Sequence, residues 1–291
     1  ILSVRAAIAD AAARISSDTS RLDAELLMAH ALGVSRQAML LARLGDPAPE
    51  GFAVLVERRV AHEPVAYITG SRGFWTIELN VGPGVLVPRA DSETLIETAM
   101  AHFAGTAGPK RVLDLGTGPG TLLLAALTEW PEASGVGVDA SETALGYARD
   151  NAARLALADR AELRTGDWAE GLDGRFDLIL CNPPYIGTGE ALGPEVGDHE
   201  PAEALFAGAD GLDDYRRIVP ELPGLLAADG IAVMEIGWEQ GAAVSALVEA
   251  AGLTAAVYKD LGGRDRVVTA RWTIGARYQY SAWGLVPHWL R

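Results

Sequence analysis

The sequence predicts a doubly wound α/β domain with a mainly parallel sheet, preceded by a small all-helical domain. Three observations carry that expectation. Helical periodicity alone fills residues 1 to about 70. From about Ser92 onward, short β-type runs alternate with helical stretches, which is the pattern of βαβ units. A glycine-rich turn lies directly between the first of those apolar runs and the helical run behind it.

In the first part, Val4, Ala7, Ile8, Ala11 and Ile15, then Leu22, Leu26, Leu27 and Ala31, then Phe52, Leu55, Val56 and Val60 recur at helical spacing. Ser20 and Ser35 are the expected N-caps and Gly33 the expected C-cap. The helical domain is placed at 1–72. Over 73–88 the pattern changes to Phe74-Trp75-Thr76-Ile77-Glu78-Leu79-Asn80-Val81, then Gly82-Pro83-Gly84, then Val85-Leu86-Val87, which predicts a β-hairpin linker turning at the glycines. The larger domain is placed at 89–273. Its strands are expected at Arg111–Leu115, Ser134–Asp139, Ala161–Thr165, Phe176–Cys181, 231–236, Leu253–Lys259 and 266–270. The last two flank only Asp260-Leu261-Gly262-Gly263-Arg264, too short for a crossover helix, so an antiparallel pair is expected. The tail 274–291, with Trp283 and Trp289, is left unassigned, as a vector-derived piece or a lineage-specific extension. The sequence opens on Ile1 and not Met, as a truncated or processed chain would.

A chain of 291 residues, 49% of them hydrophobic, has enough apolar sequence for a sizeable core divided over two domains. The net charge of −15, from 24 basic against 39 acidic residues, opposes a phosphate backbone, so direct nucleic-acid binding is not expected. Residues 1–80 hold eight Arg against nine acidic residues, so the acidity belongs to the larger domain. Cys181 is the single cysteine and has no internal partner. The five histidines, at 30, 62, 102, 199 and 288, show no zinc-ligand spacing. A reducing, cytoplasmic location without a structural metal is expected. No apolar run approaches the roughly 20 residues that span a bilayer. A monomer with no membrane partner is the expectation.

Asp114-Leu115-Gly116-Thr117-Gly118-Pro119-Gly120-Thr121 follows an apolar strand and precedes the helical run 122–127. Glycines at such a junction let a ligand approach the backbone at the carboxyl edge of the sheet. Thr121 stands where a dinucleotide fingerprint needs its third glycine, which disfavours a pyrophosphate and with it a nicotinamide-linked oxidoreductase. Asp114 offers a carboxylate suited to a cationic or amine-bearing ligand. Asp139 ends the next strand, where an acid accepts ribose hydroxyls. Asp167 and Trp168 end the third, where an acid and an aromatic ring border an adenine. Together these residues predict S-adenosylmethionine.

The fourth strand runs into Asn182-Pro183-Pro184-Tyr185. Two prolines remove two backbone donors, fix φ and hold Asn182 extended, so the loop is rigid. It is expected to offer the Asn182 side-chain oxygen and the Pro183 carbonyl to a planar NH2 group whose face lies on Tyr185. That arrangement suits methyl transfer to an amide or exocyclic amine nitrogen, with positioning supplying much of the rate. His199 and Glu200 are expected to serve loop contacts, and Cys181 to be a buried strand residue. Two other readings remain open on these residues: an adenine amino-methyltransferase acting on nucleic acid, which would need base flipping and a basic groove, and a non-catalytic S-adenosylmethionine-binding protein.

The tetrapeptide together with the 114–120 loop resembles the S-adenosylmethionine-dependent amino-methyltransferases that modify planar nitrogens. Further stretches narrow the resemblance: Glu63-Pro64-Val65-Ala66-Tyr67-Ile68-Thr69-Gly70, Val87-Pro88-Arg89-Ala90-Asp91-Ser92-Glu93, His199-Glu200-Pro201, Glu235-Ile236-Gly237 and Lys259-Asp260-Leu261-Gly262-Gly263-Arg264-Asp265-Arg266. All are similar to the HemK/PrmC family, the protein-(glutamine-N5) methyltransferases of peptide chain release factors, over about residues 1–272. The resemblance implies a Rossmann-like methyltransferase fold and, as substrate, the glutamine of a Gly-Gly-Gln motif. It also implies a helical N-terminal domain that helps recognise the release factor. Pro119, where the family often has Thr or Ser, and Ala90, where Pro is common, depart from the pattern.

Overall fold

The computed structural model describes residues 2–273, so the expectations for Ile1 and for 274–291 lie outside the described residues. The chain divides into two compact units. One comprises 2–72, 81–87 and 191–201, and the other 73–80, 88–190 and 202–273. The helical unit is therefore not one continuous stretch, because two later segments complete it.

Its helices are α1 (Val4–Arg14), α2 (Ser20–Leu32), α3 (Arg36–Ala42), α4 (Phe52–Val60) and α5 (Val65–Thr69). Their apolar stripes meet in a core that includes Val4, Ile8, Leu27, Met28, Met39, Phe52 and Val56. The Ser35 side chain accepts from the Ala38 N–H, and Gly33 ends α2 at φ 64°. Ser20, expected as a cap, lies inside α2. The cap residue is Thr19, and the Ser17 and Thr19 hydroxyls both donate to Asp23. Asp23 is buried because Arg59, only 4% exposed, donates to it at 2.8 Å, to the Glu63 carbonyl at 3.2 Å and to Glu195 at 2.7 Å. Removing one partner of a buried ion pair strands the other charge, so Arg59→Ala is expected to cost about 3–5 kcal/mol. Chemical denaturation of the variant checks this. His199 lies against the Ala61 carbonyl and Glu200 accepts from the Val87 N–H, so the 191–201 segment is bound within this unit.

The chain leaves α5 through a hairpin, β1 (Ser71–Phe74) and β2 (Ile77–Asn80). Its turn is at Trp75-Thr76, not at Gly82-Pro83-Gly84, and residues 85–87 form no strand. Trp75 takes φ 52°, with its amide donated to Glu93 at 2.8 Å and its indole N–H to Glu129 at 3.2 Å. Pro83 has no N–H for a ladder, which weakens the expected second strand.

Beyond it come α6 (Glu93–Phe103), β3 (Arg111–Leu115), α7 (Thr121–Glu129), β4 (Ser134–Asp139), α8 (Glu142–Arg154), β5 (Ala161–Thr165), β6 (Phe176–Cys181) and α9 (Pro194–Gly197). Then follow α10 (Asp213–Ile218), α11 (Leu222–Leu225), β7 (Leu226–Glu235), α12 (Gly241–Ala250), β8 (Leu253–Lys259) and β9 (Asp265–Trp272). The sheet order is β5-β4-β3-β6-β7-β9-β8. The first five strands are parallel, and β9 runs antiparallel to both β7 and β8, as the short connection requires. Leu178, Ile179, Leu180 and Cys181 are all fully buried, because a central parallel strand is covered on both faces. β7 begins five residues earlier than the expected 231, because Ala227-Ala228-Asp229-Gly230 reads as a turn. Gly230 allows the continuation, since a Cβ there would stand 2.9 Å from the Phe176 and Asp177 carbonyls.

From β3 the chain winds outward through β4 and β5, then returns to lay β6 on the other side of β3. Strand order reverses there, and open α/β sheets bind ligands in the crevice at the carboxyl ends flanking such a reversal. Leu115 is in register with Cys181, so Gly116 and Asn182 are the next residues on two strands about 4.8 Å apart.

Candidate active site

Residues 116–120 form the turn between β3 and α7, with positive φ at Gly116 (72°), Gly118 (56°) and Gly120 (88°), where a side chain would be strained. A Cβ at Gly120 would strike Leu124 at 2.7 Å, whereas at Gly118 it would meet nothing within 4 Å. The tip of the loop is open and its base is packed. The Gly116 and Thr117 amides donate to the Val138 carbonyl, each at 2.9 Å, and the Gly118 amide to Asp139 Oδ2 at 2.8 Å. Asn151 Nδ2 donates to the Pro119 carbonyl at 2.9 Å.

Asp114 is 1% exposed, not an open carboxylate beside the loop. Its Oδ2 accepts from Thr117 Oγ1 at 2.7 Å and from the Leu123 amide at 3.1 Å, while Oδ1 has no partner among the described residues. Burial pushes its carboxyl up to about 7. Asp139 accepts from the Gly118 and Ser141 amides, one on each oxygen, and burial raises it against those two donors. Each of its oxygens keeps a further lone pair for a ligand. The third strand's pair is split. Asp167 turns out to an ion pair with Arg217, whereas the Trp168 ring lies against Gly116 and its indole N–H donates to Asp214 at 3.1 Å.

At the end of β6, Pro183 and Pro184 are buried and Asn182 and Tyr185 half-buried. Asn182 Nδ2 donates to Ser92 Oγ at 3.2 Å, and among the described residues neither Asn182 Oδ1 nor the Pro183 carbonyl accepts a hydrogen bond. The Tyr185 hydroxyl donates to Glu235 at 3.2 Å, and Gln240 Nε2 donates to the Tyr185 carbonyl at 2.9 Å. Cys181 is buried, its thiol pushed well up by that burial, so it is no nucleophile.

Sequence reasoning assigned no role to Ser92, Asn151, Glu235 or Gln240. Glu235 had a readable signal, a carboxylate closing the apolar run Ile231-Ala232-Val233-Met234. It ends β7 beside β6 and is 1% exposed. Burial raises its carboxyl, opposed by the Ser92 hydrogen bond and the Arg266 charge. Asn151, inside the polar stretch of α8, and Gln240, in the turn before α12, had none. Among the described residues no cluster of His, Cys, Asp or Glu is arranged to hold a metal, and no helix is long and apolar enough to cross a membrane.

A glycine loop and a rigid Asn-Pro-Pro-Tyr turn on adjacent strands at the reversal point define a methyltransferase of the Rossmann-like class. Solved structures of that fold agree: a methyltransferase from Pyrococcus furiosus (TM-score 0.51, 17% identity, 66% of this chain and 87% of that one). The hMettl16 catalytic domain in complex with MAT2A 3'UTR hairpin 6 also matches (TM-score 0.54, 15% identity, 77% and 82%). Residues 6–70 match the PrmC N-terminal domain and residues 90–199 the methyltransferase small domain. Proteins named release factor glutamine methyltransferase are 45% identical in Cereibacter sphaeroides (92% of this chain, 96% of that one), 44% in Caulobacter vibrioides (86% and 89%) and 44% in Rhodospirillum rubrum (86% and 78%). The chain belongs to the release factor glutamine methyltransferase family.

Proposed function

We propose that this chain transfers a methyl group from S-adenosylmethionine to the side-chain amide nitrogen of the glutamine in the Gly-Gly-Gln motif of peptide chain release factors, modulating translation termination. The observation that carries this reading is the pair of unengaged acceptors, Asn182 Oδ1 and the Pro183 carbonyl, in the two residues after β6, which is in register with β3, the strand that leads into the glycine loop. A primary amide has two N–H groups to give and matches two acceptors.

The residues fit the cofactor. Asp114 Oδ1 is a buried oxygen with no partner among the described residues, the kind of atom an incoming cationic amine satisfies, and the loop is open at Gly118. Residues 116–120 and Asp114 would hold the amino-acid end, Asp139 the ribose and Trp168 the adenine side, with Asp167 paired to Arg217 instead. When bound, S-adenosylmethionine would supply an electrophilic methyl on a sulfonium, a leaving group that keeps the carbon–sulfur electron pair. The amide nitrogen is a poor nucleophile, so Asn182 and Pro183 must hold it with its lone pair aimed, an effect worth up to about 7–11 kcal/mol in intramolecular models. The same acceptors stabilise the charge that develops on nitrogen, and Tyr185 offers a flat apolar face to the amide. The proton is passed to solvent.

Incubation with radiolabelled S-adenosylmethionine and a release factor, duplex DNA or transfer RNA tests the reading. Label is expected in the factor alone and to vanish when its Gly-Gly-Gln glutamine is replaced. Label in either nucleic acid would overturn it. Asp139→Ala is expected to weaken cofactor binding by about 1–3 kcal/mol, measured by calorimetry, because an accepting carboxylate is lost. The helical unit is the part we assign to recognising the protein substrate. On that assignment, substitutions on its surface raise KM for an intact factor and leave a short Gly-Gly-Gln peptide unaffected.

A further inference from the structure

We propose that Glu235, acting through Ser92, determines which way round the Asn182 side-chain amide faces, and is thereby a positioning residue for methyl transfer. The inference rests on the reading of Asn182 as the acceptor of the substrate amide. An asparagine amide has nearly the same shape after a half-turn about its last bond, but the turn exchanges an acceptor for a donor. With Nδ2 toward the substrate, two NH2 groups would face one another and the nitrogen would not be held.

The proton inventory decides between the two faces. Ser92 is 2% exposed, and its hydroxyl has one hydrogen and two lone pairs. That hydrogen goes to Glu235 Oε2, and an ionised carboxylate can only accept. Ser92 Oγ then has only lone pairs left for Asn182, which meets it with Nδ2 at 3.2 Å and so turns Oδ1 away. The other carboxylate oxygen takes the Tyr185 phenol proton at 3.2 Å, so one buried anion orients both polar side chains of the tetrapeptide. Arg266 favours the anion electrostatically while bridging Asp91, next to Ser92, at 3.2 Å and Asp260 at 3.1 Å. Tyr215 fixes the end of β7 by donating to the Glu235 carbonyl at 2.6 Å. The hydrogens on Ser92 and Tyr185 both point toward Glu235, and the amide face is the consequence.

Glu235→Gln keeps the shape but introduces a donor. When its NH2 faces Ser92, the serine proton is released to Asn182 Oδ1 and the amide turns over. The variant is expected to lose roughly 10- to 100-fold in kcat, less than the about 10²–10³ that follows outright loss of one preorganised group because the acceptor is displaced and not removed, with affinity for S-adenosylhomocysteine within about twofold. The side-chain NH2 resonances of Asn182 should shift in the ligand-free protein. Ser92→Ala should lose rate similarly, and Ser92→Thr, which keeps the hydroxyl, should restore it, so the inference stays testable if Glu235→Gln folds poorly. In an Asn182→Ala background, Ser92→Ala should change the rate less than about twofold, since contacts acting through one group are not additive. Equal losses in both backgrounds would mean a structural role only and overturn the inference. If Ser92→Ala and Glu235→Gln transfer at the wild-type rate while Asn182→Ala is slow, the inference fails alone. If Asn182→Ala is itself unimpaired, the reading beneath it fails.

Discussion

Asn182→Ala is expected to slow methyl transfer by about 10²–10³, or 2.7–4 kcal/mol, the typical loss for one preorganised group facing developing charge. Affinity for S-adenosylmethionine should change little. The Asn182 side chain bonds to Ser92, whereas the loop is held by Val138, Asp139 and Asn151. Single-turnover rates at saturating cofactor separate the two quantities, and an Asn182→Ala variant that fails only through lost cofactor affinity would refute the assignment. Asn182→Asp is the sharper comparison. On sequence grounds it should outperform alanine, because an acceptor survives. In the structure its second oxygen would face a Ser92 oxygen whose hydrogen is already given to Glu235, so repulsion should leave it no faster than alanine.

The second large effect is on stability. Asp114 titrates at about 7 in the folded chain against an ordinary 3.8, because burial disfavours its charge. A carboxyl raised on folding contributes its full stability below the unfolded value. That contribution is lost as pH rises from 3.8 to about 7, and the loss is constant above. A shift of that size corresponds to about 4 kcal/mol. The ligand-free protein should therefore lose stability across this window, whereas Asp114→Asn, which cannot ionise, should not, and should unfold at a higher temperature than wild type at pH 8. Parallel melting-temperature curves for the two proteins from pH 4 to 8 would rule out Asp114 as the source.

The parallel strands were legible because a strand buried on both faces must be a short, nearly continuous apolar run, and β3, β4 and β6 have that form. The loop and Asn182-Pro183-Pro184-Tyr185 were legible because glycine and proline constrain the backbone by themselves. What escaped reading depends on partners far along the chain. Asp114 looked like an open carboxylate, yet it is buried, with Thr117 and Leu123 on one oxygen and only the other left for a ligand. Asp167 looked like part of an adenine site, yet Arg217, in α10, holds it. The hairpin turn moved to Trp75 because Glu93 and Glu129 hold it, a preference that no local propensity encodes.

Because 81–87 and 191–201 complete the helical unit, the amino end of the chain is not the first part to be finished during synthesis. Arg59 meets Asp23 early, but Glu195 lies 136 residues beyond Arg59. At typical translation speeds it leaves the ribosome roughly 7–27 s later. During that interval the Val87 amide and one face of the Arg59 guanidinium await their carboxylates, while the glycine loop and the β6 turn have already emerged. The helical unit can close only after the glycine loop and residues 182–185 have emerged, so the surface we assign to recognising the protein substrate is completed after those two loops and before Glu235 is available to Ser92 and Tyr185.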